Sequence, residues 1–145
     1  MSGACISLPV TADSVTRVGA WLDAEARRLG LADEVRDAMR VCAEEAATNI
    51  VRHAFPPGAL PGAAGAPTFR ARLEANGDVR LAFEDDGVPF DPTRYADKPT
   101  PGSVDDAHVG GLGIRLMRGF ARMLRYERRG GINRLVMSFE RRTGG

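Results

Sequence analysis

Two stretches near the start of the chain carry hydrophobic side chains at every third or fourth position, which is the spacing of one face of an α-helix. The first stretch covers about residues 13–29, with Thr11 and Asp13 as candidate caps and Gly30 as the stop. The second covers about residues 33–54 and ends in the run EEAATNIVRHAF. Its apolar stripe consists of Val35, Ala38, Met39, Cys42, Ala46, Ile50 and Ala54.

Alternating apolar and polar positions predict strands in three other places. Residues 68–85 form a predicted hairpin, because two alternating runs flank Asn76 and Gly77, and Asn-Gly is a strong hairpin signal. The apolar positions of this hairpin are Phe69, Ala71, Leu73, Val79, Leu81 and Phe83. ACISLPV, residues 4–10, predicts a short first strand. A second hairpin is predicted near the C-terminus, with LRYER and RLVMSFE as strands and GGIN, residues 130–133, as the turn.

Segments rich in glycine and proline separate these elements. Residues 56–67, PPGALPGAAGAP, predict a connecting loop, and residues 92–109 predict a long loop, of the length that usually has a function. GGLGIRLMRGFARML, residues 110–124, begins with glycines and predicts an amphipathic helix. The tail RRTGG, residues 141–145, is expected to fray.

The predicted order of elements is β-α-α-β-β-loop-α-β-β. Because strands and helices do not alternate as in βαβ units, the order favours an α+β fold. We expect a two-layer sandwich with a mostly antiparallel sheet and helices on one face. The 145 residues suit a single domain, residues 1–145.

Composition narrows the class of protein. Twenty Lys and Arg residues against 19 Asp and Glu residues give a net charge of +1, which argues against non-specific binding of nucleic acid or of an anionic membrane. The N-terminus shows neither a signal peptide nor a membrane span, so a cytoplasmic location is expected. Cys5 and Cys42 match no metal or redox spacing and are expected to be free thiols.

The second predicted helix carries the first candidate chemistry. Glu45 and Asn49 are four residues apart, so they share a helix face, whereas Glu44 points about 100° away. A carboxylate can accept a proton from a hydroxyl group, and an amide oxygen suits a hard cation such as Mg²⁺. Taken alone, this pair is typical of a solvated helix face.

Two further groups follow along the chain. Asp85 ends a predicted strand, where it can accept a hydrogen bond from an exocyclic amine, and Gly87 allows a turn and a close approach of a planar ligand. Gly110, Gly111 and Gly113 begin a predicted helix, where backbone N–H groups can bind phosphate. An ordinary Asp-Gly turn and an ordinary glycine-rich helix start explain these two groups equally well when each is taken alone.

Together and in this order, the three groups resemble the GHKL ATPase superfamily. The chain is most similar to the anti-sigma factor serine/threonine kinases of bacterial partner-switching systems. The segments that carry the resemblance are EEAATNIVRHA, DDGVPFD and GGLGIRLM followed by YERRGGINRLVM.

The resemblance implies ATP and Mg²⁺ as cofactors and a role for each group. Glu45 would be the general base, and Asn49 the direct protein ligand of Mg²⁺. Asp85 would hold the adenine amine and Gly87 would form the floor of the base pocket. Residues 95–109 would form the ATP lid. Gly110, Gly111 and Gly113 would contact phosphate.

The chain departs from some relatives at one point and leaves one residue open. No arginine stands just before the second glycine group, where the sequence is DDAHVGG, so His108, Lys98 or neither supplies positive charge. His53 lies two turns beyond Glu45, and both a contact with the nucleotide and a purely structural role remain open.

The resemblance also implies partners. The expected protein substrate is a small anti-sigma factor antagonist of the STAS type that carries the acceptor serine or threonine. A sigma factor or another regulator is the expected second partner, and the first helix and the sheet edge are candidate homodimer surfaces. Neither nucleic acid nor a membrane is expected as a partner.

Three other functions were weighed against this one. The main alternative is a catalytically weak module that binds nucleotide and sequesters a partner. The ATPase part of a sensor histidine kinase would need a preceding dimerisation helix with a phospho-acceptor histidine. A mismatch-repair or topoisomerase ATPase would need a second, transducer domain.

Overall fold

The computed structural model describes residues 2–56, 66–94 and 112–144. The expected order of elements is confirmed. The elements are β1 (Ser2–Pro9), α1 (Ala12–Arg28), α2 (Asp33–Asn49), a π-helical turn (Ile50–Ala54), β2 (Thr68–Asn76), β3 (Asp78–Asp85), a 3₁₀ turn (Pro92–Arg94), α3 (Leu112–Phe120), β4 (Met123–Arg129) and β5 (Ile132–Phe139). The loop predicted for residues 56–67 and the one for residues 92–109 fall largely outside the described residues.

The five strands form one sheet in the order β1-β2-β3-β5-β4, and every neighbouring pair is antiparallel. The register of β2 and β3 pairs Leu73 with Leu81 and Phe69 with Asp85. Asp85 is also paired with Asn133 of β5. The polar ends of β3 and β5 therefore lie side by side near the centre of the sheet.

The helices cover one face of the sheet, and the core lies between the two layers. The period-two pattern of β2 buries Phe69, Ala71 and Leu73 while the intervening residues are exposed. α2 packs against α1, α3 and the central strands. Its stripe at Met39, Cys42 and Ala46 is buried, as its spacing predicts. The expected α+β sandwich is thus confirmed.

Two boundaries near the C-terminus differ from expectation. α3 ends at Phe120, and Met123 begins β4, so the helix is shorter than the predicted 110–124. The second hairpin turn consists of Gly130 and Gly131, both with positive φ, and not of the four residues GGIN. Ile132 and Asn133 instead open β5, because two glycines suffice for the turn.

The C-terminal segment was expected to fray, and this expectation is wrong. Thr143 forms an isolated antiparallel bridge with Leu31 in the connection between α1 and α2. The backbone N–H of Ala32 donates to the carbonyl of Arg142, at 2.8 Å, and the N–H of Gly144 donates to the carbonyl of Gly30, at 3.0 Å. These backbone contacts fix the segment without any hydrophobic pattern that a sequence could reveal.

The predicted helix 33–54 exists, but its last turn has π-helical geometry. Such turns contain one residue more than an α-helical turn and occur often at functional sites. None of the helices described is long and apolar enough to cross a membrane. Both cysteines are free, and burial raises the pKa of the Cys42 thiol to about 12. Cys42 is therefore an inert part of the core.

Candidate functional site

Glu45 lies on α2 in a half-buried position. Burial raises the pKa of its carboxyl group, Arg52 acts in the opposite direction, and the neighbouring carboxylate of Glu44 adds to the increase. A carboxylate whose pKa is raised is a stronger base than a solvated one. Glu44 instead lies between α1 and α2, where its side chain contacts Gly19 and its carboxylate lies 3.9 Å from Arg40.

Asn49 lies one turn further along the same helix face and is only 5% exposed. Its Nδ2 atom is buried and has no hydrogen-bond partner within the described residues. A buried amide nitrogen without a hydrogen-bond partner costs stability, so its presence needs an explanation. The oxygen of such an amide suits a hard cation like Mg²⁺, which keeps most of its other positions for water and phosphate.

Asp85, the last residue of β3, is buried beside neutral donors. Its Oδ1 accepts hydrogen bonds from the backbone N–H of Gly87, at 2.9 Å, and from Nδ2 of Asn133, at 3.0 Å. Burial raises the pKa of the Asp85 carboxyl group, and these two hydrogen bonds oppose that increase. Within the described residues both bonds end on Oδ1, so Oδ2 keeps its lone pairs for a ligand donor.

Gly87 is required by packing against the π-helical turn. A Cβ atom at this position would lie 2.2 Å from the carbonyl oxygen of Ala54 and 2.8 Å from its Cβ. The next residue, Val88, donates its N–H to the same carbonyl at 2.8 Å. The sequence predicted that Gly87 allows a ligand to approach, whereas the structure gives it a contact with the end of the helix.

Asn49 and Asp85 line one pocket between α2, the π-helical turn and the sheet. Its lining includes Asn49, Asp85, Phe83, Phe90 and Tyr126. The structure thus brings together two of the predicted site residues, Asn49 and Asp85, and sets Glu45 one helical turn from Asn49. Apolar walls with a few convergent polar groups are typical of small-molecule sites.

The predicted glycine group is only partly described. Gly113 lies in the first turn of α3, which packs against α2. Gly110 and Gly111 lie outside the described residues, as do Lys98 and His108. The contact of these glycines with phosphate stays a prediction.

Sequence reasoning missed a buried polar residue in the pocket. Asn133, which is 4% exposed, donates to Asp85 and to the carbonyl of Val88, at 2.8 Å. Its Oδ1 accepts from Tyr126, at 2.5 Å, and from Arg128, at 2.9 Å. The only sequence signal at Asn133 was its place in GGIN, and an asparagine close to glycines is typical of a turn rather than of a binding pocket.

His53 lies four residues beyond Asn49. Its ring stacks on Phe90 with the two ring centres 4.6 Å apart, and its Nε2 is buried with no hydrogen-bond partner in the part of the chain described. Burial lowers the pKa of His53, and the charge of Arg52 lowers it further. The stack connects the helix end to the segment that follows β3.

The described ranges contain no group of three or more His, Cys, Asp or Glu side chains that could hold a metal ion. A cation in this pocket would therefore depend on Asn49 together with oxygens from water and from a ligand. This donor set fits Mg²⁺ brought in with phosphates.

Comparisons with known proteins agree with this fold. The family model described as "Histidine kinase-like ATPase domain" matches residues 8–139. The chain is 40% identical over 133 residues to Serine/threonine-protein kinase BtrW of Bordetella bronchiseptica, which covers 92% of this chain and 90% of that protein. A crystal structure of the RsbU and RsbW domains of a Mycobacterium tuberculosis protein matches with a TM-score of 0.64 at 14% identity. That match covers all of this chain and 35% of the longer one, and it shows a shared fold.

Proposed function

We propose, from the premise that this chain belongs to the histidine kinase-like ATPase family, that it is an ATP-dependent serine/threonine protein kinase of a bacterial partner-switching system. One observation carries the proposal. A buried acceptor, Asp85, shares a pocket with Asn49, a buried amide whose Nδ2 has no partner within the described residues, and Glu45, a carboxylate with a raised pKa, lies one helical turn from Asn49. The 40% identity to a named serine/threonine-protein kinase supports the same class of activity.

In this proposal Asp85 selects the base of the nucleotide. Its Oδ2 would accept a hydrogen bond from the exocyclic amine of adenine, while Phe90 lines the same pocket and the N–H of Gly87 holds Oδ1. Asn49 would hold Mg²⁺ through its amide oxygen, and the ion would supply positive charge against the phosphates. The backbone N–H groups of Gly110, Gly111 and Gly113 would bind phosphate.

Glu45 acts on the protein substrate. Its carboxylate removes the proton of a serine or threonine hydroxyl group as the hydroxyl oxygen forms a bond to the γ-phosphorus of ATP. The bond from that phosphorus to the bridging oxygen breaks, and ADP leaves. The products are ADP, the phosphorylated side chain and a proton released from Glu45.

The substrate in this proposal is a small anti-sigma factor antagonist of the STAS type. A sigma factor or another regulator is the partner that the kinase binds in the alternate state. This chain shares its fold with a solved structure of RsbU and RsbW domains. Binding that depends on nucleotide and on phosphorylation would shift the kinase between the two partners.

A phosphotransfer assay tests the proposal. The protein is mixed with Mg-ATP and a small STAS-type antagonist from the same organism, and the antagonist is examined by intact-mass spectrometry for a gain of one phosphate on serine or threonine. Glu45→Gln should reduce the rate about 100- to 10,000-fold, the range expected for loss of a general base. Glu44→Gln is the matched control and should retain the rate, because Glu44 lies against α1.

Two outcomes would contradict the assignment. If the antagonist gains phosphate equally fast with Glu45→Gln, then Glu45 is not the base. If it gains none with the unaltered protein while both bind each other in the presence of ATP, the protein is a nucleotide-dependent sequestration module.

A further inference from the structure

Three side chains of the β4–β5 hairpin form a hydrogen-bonded group beside the turn that follows β3. Tyr126 and Arg128 come from β4, and Asn133 comes from β5. We refer to these three residues as the Asn133 cluster. The cluster contacts the turn through three acceptors: Oδ1 of Asp85 and the carbonyl oxygens of Gly87 and Val88.

The amide group of Asn133 uses its full hydrogen-bonding capacity. Nδ2 donates to Oδ1 of Asp85, at 3.0 Å, and to the carbonyl of Val88, at 2.8 Å. Oδ1 accepts from the hydroxyl of Tyr126 and from the guanidinium of Arg128. Two donated and two accepted bonds are all that an asparagine side chain can form.

The orientation of this amide is fixed by its neighbours. Arg128 can only donate, so the reverse orientation would place the NH₂ group of Asn133 against another donor. The same reversal would place the amide oxygen against the carbonyl of Val88 and the carboxylate of Asp85. Arg128, which can only donate, and the two acceptors at Asp85 and Val88 therefore fix which end of the amide faces Asp85. The Tyr126 hydroxyl adds a hydrogen bond to that orientation.

The fixed amide in turn fixes the carboxylate of Asp85. Asn133 and the N–H of Gly87 both bind Oδ1, which leaves Oδ2 as the acceptor for a ligand. Arg128 also donates to the carbonyl of Gly87, at 3.0 Å, so the backbone of the turn is held by the same group. The position of Oδ2 is thus determined by residues of a different hairpin.

We propose that the Asn133 cluster is a positioning unit that sets the preference of the pocket for a 6-amino purine over a 6-oxo purine. The inference rests on the proposed function, in which Asp85 accepts a hydrogen bond from the base. Adenine carries a donor at position 6 and guanine an acceptor, so a correctly held Oδ2 attracts the first and repels the second. When the cluster is broken, Asp85 can rotate and this discrimination falls.

The test measures binding of ADP and GDP that carry a fluorescent methylanthraniloyl group on the ribose, by titration with the intact protein and Mg²⁺. Tyr126→Phe keeps the ring and removes one hydrogen bond to Asn133, so the ratio of GDP to ADP dissociation constants should fall about fivefold. Asn133→Ala should lower the ratio tenfold or more. Arg129→Gln, an exposed neighbour on β4, is the matched control and should leave the ratio unchanged.

A double-variant cycle separates positioning from a general effect on folding. Asp85→Asn replaces the acceptor with a donor at Nδ2, so Tyr126→Phe should not change the ratio further in that background. The inference is overturned if Tyr126→Phe changes the ratio of dissociation constants equally in both backgrounds. It is also overturned if Tyr126→Phe and Asn133→Ala leave the ratio unchanged while ADP still binds. If the unaltered protein binds neither nucleotide, the proposed function itself fails.

Discussion

Glu84 and Asp85 are successive carboxylates on β3, yet they lie on opposite faces of the sheet and in opposite environments. Glu84 faces outward, half-buried, with Arg72 at 3.2 Å and Arg134 at 3.8 Å. Asp85 faces inward and is buried among neutral donors. The first carboxylate forms ion pairs with two arginines, whereas the second accepts its hydrogen bonds, within the described residues, from an amide and a backbone N–H.

The contrast teaches how a sheet can separate stability from binding. A carboxylate held between arginines has little left to offer a ligand, and ion pairs at this level of exposure contribute little to stability. A buried carboxylate held by an amide and a backbone N–H is costly to ionise, but it presents a fixed acceptor. Burial among neutral donors therefore indicates a candidate binding carboxylate better than the sequence spacing does.

Within this comparison of the two β3 carboxylates, the largest expected effect comes from neutralising Asp85. Asp85→Asn should weaken ATP binding about 100-fold, because a hydrogen bond to a charged group is lost and the new NH₂ group opposes the amine of the base. Glu84→Gln, the matched change on the outer face, should leave affinity within about twofold by isothermal titration calorimetry, because Glu84 makes no contact with the pocket. Equal losses in the two variants would remove the contrast.

The turn that supports Asp85 should be equally intolerant of change. Gly87→Ala places a Cβ 2.2 Å from the carbonyl oxygen of Ala54, so either the turn or the helix end must move. We expect a loss of about 3 kcal/mol in the free energy of unfolding, as for other overpacked sites. Urea denaturation measures it, with Gly119→Ala as the control, since a Cβ at that position meets no described atom within 4 Å beyond its neighbours and the backbone of its own helix. A loss no greater than that of the control would show that the contact is not restrictive.

A smaller effect is expected from pH, through the other inward-facing carboxylate, Glu45. Its pKa in the folded protein is raised above 4.5 by burial, and the base must be ionised to act. The phosphotransfer rate is therefore full above this raised pKa and falls about tenfold per pH unit below it. Rates measured with saturating Mg-ATP between pH 4.5 and 8 give the profile, and Glu45→Gln should flatten it. The same slope in that variant would assign the titration to another group.

The smallest effect is expected on the outer face. Glu84→Gln removes the charge that Arg72 and Arg134 share and should lower the free energy of unfolding by about 0.5 kcal/mol. Because salt screens exposed charges, the difference should shrink between 50 mM and 1 M NaCl. A loss of several kcal/mol that salt does not reduce would place Glu84 among the buried, essential groups instead.

Much of the fold was predictable because its signal is local and repeated. The buried face of β2 follows from the alternation of Phe69, Ala71 and Leu73. The buried face of α2 follows from the helical spacing of Met39, Cys42 and Ala46. The positions of Asn49 and Asp85 followed from the same periodicities, and the structure brings both to one pocket.

The rest depends on contacts that leave no local pattern. Arg142 and Gly144, on either side of Thr143, form backbone hydrogen bonds with a turn more than a hundred residues away, and no local pattern in RRTGG indicates this. Asn133 ends the run GGIN, which predicts a turn. Its hydrogen-bond partners, however, are distributed over β3, β4 and the turn after β3. The reason for Gly87 lies in Ala54, thirty-three positions earlier in the chain.

The π-helical turn at Ile50–Ala54 joins α2 to the site, and the number of residues in the turn determines how the two meet. One extra residue in that turn changes the phase of the helix, so the carbonyl of Ala54 meets the N–H of Val88. Backbone atoms carry this contact, and replacing side chains one at a time across the turn would leave it in place. Removing a single residue from the turn would restore α-helical phase and separate Ala54 from Gly87. The number of residues in this turn is therefore constrained, and a comparison of residue identities alone would not reveal that constraint.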